Sequence, residues 1–152
     1  MPWWLARSWT LMALLAFTVI VILGGCATTP VSPTTASQAP PDRLLAFQEK
    51  TDLTSVTLVI TRDQGFIASA CYLAVAIDGI VAARFDVGET ARFYVKPGEI
   101  LLRVGRDPQG KGLCGLGQDE WTQRETVVRQ GETKYFRLSI DANGKTDIQR
   151  PE

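Results

Sequence analysis

The chain has 152 residues, 16 Lys and Arg balanced by 16 Asp and Glu, and no histidine. Lacking histidine, it cannot build Ser-His-Asp or Cys-His catalysis from its own side chains, nor the usual His-containing zinc sites. Zero net charge, with no basic stripe and no acidic tail, leaves nothing to steer nucleic acid or a strongly charged partner.

The first element is an address. The amino terminus and Arg7 supply positive charge, and residues 11–23 form an apolar run. At about 13 residues that run suits a signal peptide and falls short of the roughly 18 to 20 that span a bilayer. An uncleaved anchor would have to extend back through Pro2-Trp3-Trp4-Leu5-Ala6, and Arg7 interrupts it. The run ends in Leu23-Gly24-Gly25-Cys26, which resembles the lipobox of bacterial lipoproteins. That resemblance implies cleavage of a signal peptide, 1–25, and diacylglycerol on the Cys26 thiol. Two or three acyl chains together anchor stably where one does not. Ala27, where Asp would retain a lipoprotein in the inner membrane, implies the outer membrane and its periplasmic face.

Cleavage removes 25 of the 152 residues and leaves 127, enough for one small domain with Trp121 as its only tryptophan. Residues 26–54 read as the lipidated cysteine, a Thr/Pro/Ser-rich tether and a short arm. Residues 27–41, with Pro30, Pro33, Pro40 and Pro41, carry too little apolar surface to offset their own ordering entropy. A partly extended, flexible spacer is expected there. Residues 42–52 include Leu44, Leu45 and Phe47, and read either as a short helical turn or as an arm packed on the domain.

Residues 55–150 read as β throughout. Val56, Leu58 and Ile60 alternate with Thr57, Val59 and Thr61, and a polar break at Arg62-Asp63-Gln64-Gly65 follows. Residues 70–77 are apolar on both faces, as in a central strand. Asp78-Gly79 is a type I′ hairpin signal leading into residues 80–85. Further strands are expected at 90–95 and 99–106, joined by the turn Lys96-Pro97-Gly98-Glu99. Beyond a glycine-rich loop at 107–118, strands are expected at 121–128, 133–140 and 146–149. The fold class is therefore all-β: a small antiparallel β-sandwich of about seven or eight strands.

Three groups of residues invite a functional reading. Gly110-Lys111-Gly112-Leu113-Cys114-Gly115 fits G-x-G-x-x-G, but Leu116-Gly117-Gln118-Asp119 opens no helix, so a dinucleotide site is not expected. Gly110, Lys111, Gly112, Leu113, Gly115, Leu116 and Gly117 read instead as a surface loop able to contact a partner. With Cys26 acylated, Cys71 and Cys114 are the two thiols left, and in an oxidising compartment such a pair is expected to be bridged. Asp63, Asp78, Asp86, Asp107, Asp119 and Asp141 fall in or beside turns and suggest no catalytic dyad. Arg84, Arg92 and Arg103, with Tyr94, Tyr135 and Arg137, would interleave if their strands presented one outer face.

Val59-Ile60-Thr61-Arg62, Ile77-Asp78-Gly79, Val95-Lys96-Pro97-Gly98-Glu99-Ile100 and Gly131-Glu132-Thr133-Lys134-Tyr135-Phe136 resemble small β-sandwich domains of uncharacterised bacterial envelope lipoproteins, and more distantly PEGA-type domains. The resemblance implies surface-attached, non-catalytic domains. The expected function is thus an outer-membrane-anchored periplasmic lipoprotein that serves as a binding or structural module of the envelope. Its expected partners are the membrane, through the anchor, and another envelope protein or the cell wall. No nucleic acid, metal or cofactor is expected. The alternative is an inhibitor of a periplasmic hydrolase such as lysozyme, inserting loop 110–118 into the enzyme's cleft.

Overall fold

The computed structural model describes residues 28–66 and 68–151. The expected signal peptide, and cleavage and acylation at Cys26, lie outside the described residues. Strand β1 (Ser37–Gln38) is followed by β2 (Val56–Arg62), β3 (Leu73–Ile77), β4 (Ile80–Phe85) and β5 (Glu89–Val95). The chain continues through β6 (Gly98–Arg106), β7 (Trp121–Val128), β8 (Thr133–Ile140) and β9 (Thr146–Gln149). The only helical pieces among the described residues are single 3-10 turns at Pro41–Arg43 and Gly112–Gly115, so no described helix is long and apolar enough to cross a membrane.

The strands form two sheets, ordered β1-β5-β2-β8-β9 and β4-β3-β6-β7. Between them lies one core. Leu58, Ile60, Phe93, Phe136 and Leu138 come from the first sheet; Val75, Phe85, Leu102 and Val104 from the second. Each such side chain contributes about 1.5–3 kcal/mol on burial. Phe85 and Phe93 meet edge to face across the two layers, with ring centroids 6.3 Å apart.

Pairing is antiparallel with two exceptions: β1 runs parallel to β5, and β2 runs parallel to β8. The second follows from parity. Every connection from β2 onward reverses the chain, so β2, β4, β6 and β8 share a direction, and β2 and β8 are neighbours. The Lys96-Pro97 turn is not a hairpin, because it carries the chain from one sheet to the other, as do 86–88 and 129–132. Asp78-Gly79 is a true hairpin, with φ of +49° and +82° as a type I′ turn requires. Gly79→Ala should lower the denaturation midpoint by an amount equivalent to about 1–2 kcal/mol, the cost of forcing an L side chain into that region.

Residues 28–47 are irregular, with a turn at 33–35 and the 3-10 turn Pro41–Arg43, but they are bound to the domain rather than standing free of it. Ser37–Gln38 pairs with the free edge of β5, and Ala39 N–H donates to Thr90 O at 2.9 Å. Leu44 bridges to Ala83, and Leu45 N–H donates to Ala82 O at 2.8 Å, covering the edge of β4. Between these contacts Arg43 is buried and grips Glu89 through both guanidinium nitrogens. Hydrogen bonding and coulombic attraction to Glu89 raise the Arg43 pKa against the opposing effect of burial. The segment cannot order itself; two unpaired strand edges order it, and it closes one side of the sandwich. On the opposite side β7 and β9 are joined across the layers, with Thr122 Oγ1 donating to Thr146 O at 2.5 Å and Arg124 Nε to Ile148 O.

Candidate functional site

Strand direction sorts the connections to two ends. The tight turns 78–79, 96–97 and 129–132 lie at one end. The long connections 63–72 and 107–120 lie at the other, with the turns at 86–88 and 141–145. This loop end is the candidate site.

It is built outward from Arg62. The alternation that buries Val56, Leu58 and Ile60 puts the next inward position at Arg62, which is 2% exposed. Its guanidinium donates to Cys71 O at 2.7 Å, Phe85 O at 2.8 Å and Ala68 O at 2.9 Å. Burial pushes its pKa down to about 10, while Asp86 and Glu89 pull the other way. It therefore stays charged at neutral pH and clamps loop 63–72 from inside. Beside it Asp63, with its side chain fully buried, pairs with Arg137.

From outside, the same loop is tied to the glycine-rich loop by the disulfide Cys71–Cys114, whose Cα atoms lie 5.4 Å apart. The expected bridge is present. The glycine-rich loop is also hydrogen-bonded to itself. Gln118 Nε2 donates to Asp107 O and Gly110 O at 2.8 and 3.0 Å, and Trp121 Nε1 donates to Gln118 O at 3.0 Å. Asp107, almost fully buried, faces Arg84 at 3.5 Å. Gly110 is required by close approach, since a Cβ there would fall 2.4 Å from Cys114 O.

The loop candidates are therefore together on a braced scaffold. Gly110, Lys111, Gly112, Leu113, Gly115, Leu116 and Gly117 form one excursion around Cys114, and Leu113 and Leu116 are 81% and 64% exposed. Phe66, in the loop on the other side of the bridge, is 89% exposed. Only the single 3-10 turn Gly112–Gly115 forms on the glycines, too short to present the helix N-terminus that a dinucleotide cradle uses. An open cleft of about 660 Å³ runs beside the loop, lined by Arg106, Leu116, Trp121, Asn143 and Lys145 among others. Among the described residues no group of three or more His, Cys, Asp or Glu side chains could hold a metal.

The arginines and tyrosines do not share one face. Arg92, Tyr94, Tyr135 and Arg137 belong to one sheet, with Val59 in register between Arg92 and Tyr135. Arg84 and Arg103 belong to the other, where Arg103 lies over the Trp121 ring at 5.1 Å. The residues that sequence reading missed are Arg62 and the buried pairs Asp63–Arg137 and Arg43–Glu89. The inward parity of Arg62 was the one available signal.

The fold and loop end define a β-sandwich domain with a disulfide-braced, partly apolar tip. No family model and no curated protein matches the chain, so the likeness to PEGA-type domains rests on the quoted turn residues alone.

Proposed function

We propose that this protein is an outer-membrane-anchored periplasmic lipoprotein whose sandwich is a non-catalytic binding or structural module of the cell envelope, working through its loop end. The observation that carries this reading is the tip itself. Phe66, Leu113 and Leu116 are held out to solvent by a disulfide and a buried arginine, and rigid apolar projections favour contact over chemistry. The buried acids Asp63, Glu89 and Asp107 each face an arginine, so their charge is engaged in structure.

The anchor is tested by Cys26→Ser and by inhibiting the lipoprotein signal peptidase. Either should leave the full-length precursor with its leader attached; normal processing in both would refute the lipoprotein reading. A hydrolase inhibitor would use the same braced loop, 110–118. Protection of cells or cell wall from lysozyme by the purified protein, abolished by Leu113→Asp, would favour that alternative.

A further inference from the structure

Granted the lipid anchor proposed above, we infer that the loop end lies against the membrane, with Phe66, Leu113 and Leu116 seated in the lipid interface. The argument starts from where the chain enters the domain. Thr28 N–H donates to Ile140 O at 3.3 Å, and Ile140 N–H donates to Thr28 Oγ1 at 3.1 Å. Thr28 Oγ1 donates to the buried carboxylate of Asp63 at 3.2 Å. Thr29 and Gln64 then exchange backbone hydrogen bonds of 2.6 and 2.9 Å. Thr28 also packs on Gly65, where an added Cβ would come within 2.9 Å of its methyl group.

Thr28 is thus fixed at the loop end, against Gly65, the residue that precedes Phe66. Only Ala27 separates it from Cys26. Two peptide steps reach at most about 7 Å, so an acylated Cys26 leaves no slack for the domain to stand off or turn over. Of the two ends, this one must face the lipid. It is also the end where Phe66, Leu113 and Leu116 are exposed, their two loops coupled by Cys71–Cys114. In the cleft beside Leu116, Arg106 and Lys145 balance Asp119 and Glu120, so the contact is apolar rather than dependent on anionic lipid. Amphipathic tips of this kind add to an acyl anchor by burying a few side chains at the headgroup boundary.

The test uses the processed protein, from which the leader and its tryptophans have been removed, reconstituted into phosphatidylcholine vesicles with or without bromine on the acyl chains. Tryptophan is introduced by Phe66→Trp or Leu113→Trp, and at the opposite end by Val127→Trp, each read against the parent protein's own Trp121. The expected result is a blue shift, and loss of most of the added emission to brominated lipid, at positions 66 and 113 but not at 127. Vesicle-bound protein with equal, weak quenching at both ends would overturn the docking and leave the anchor standing. Protein that is not acylated and does not partition with vesicles would overturn both. Tryptophans at 66 and 113 shielded by a co-purifying envelope protein, without quenching by lipid, would overturn the membrane contact in favour of a protein partner.

Discussion

Arg62→Met is expected to destabilise the domain by about 3 kcal/mol, because it removes a charged donor from three largely buried carbonyls, of which Ala68 O keeps its bond from Cys71 N–H. The acceptors are Ala68 O, Cys71 O and Phe85 O, two in the loop that carries Phe66 and one at the end of β4. Methionine fills much of the stem's volume, so the loss is mainly of hydrogen bonds. Against it stands relief of a buried charge. Burial lowers the guanidinium pKa from its ordinary value to about 10, so the unfolded chain holds that proton more tightly than the folded one. The cost of burying the charge is therefore fully in force below pH 10 and is relieved only above it. Arg62→Lys keeps the charge but has no planar fork to reach three carbonyls, and should recover only part of the loss. Urea midpoints of the three proteins check the order. Equal midpoints for Arg62→Met and the parent would show that loop 63–72 does not depend on the clamp.

The second large effect belongs to the disulfide. Cys71 and Cys114 are separated by 43 positions, and closing a loop of that size contributes about 4 kcal/mol in the chain-entropy account. Cys71→Ser with Cys114→Ser should therefore lower Tm by about 15 °C for a domain of this size. Reduction of the native protein should do the same. The local consequence separates this from general weakening: trypsin should then cut after Lys111, which is exposed but held in a braced loop. A melt unchanged by reductant would mean that the bonds from Gln118 suffice to hold the loop. Since Arg62 and the bridge grip the same segment at Cys71, their losses should add to less than their sum.

Much of the fold was legible because alternation reports directly on which residues face inward. The last three strands lie where period two places them, at 121–128, 133–140 and 146–149. Asp78-Gly79 is legible because few dipeptides tolerate two positive φ angles in succession. Cys71–Cys114 is legible by arithmetic, being the pair left once Cys26 is set aside. The site was legible only in part. Leu113 and Leu116 stand out in a glycine-rich loop, whereas Phe66 sits beside a polar break and joins them only through the bridge.

What the residues determined by themselves is the β class, most strand boundaries, the tight turns and the absence of histidine chemistry, all of which are local or compositional properties. The strand expected at 70–77 begins only at Leu73, because residues 68–71 turn toward the Cys114 bridge. Tertiary structure alone decided which sheet each strand joins, and so the parallel pairing of β2 with β8. A turn such as Lys96-Pro97-Gly98 reverses the chain equally well within a sheet or between sheets. It alone decided that residues 28–47 are bound along two strand edges, since their order comes from partners distant in sequence. It alone put Arg62 under the loops, where a charged side chain that reads as the end of a strand becomes the support for the tip.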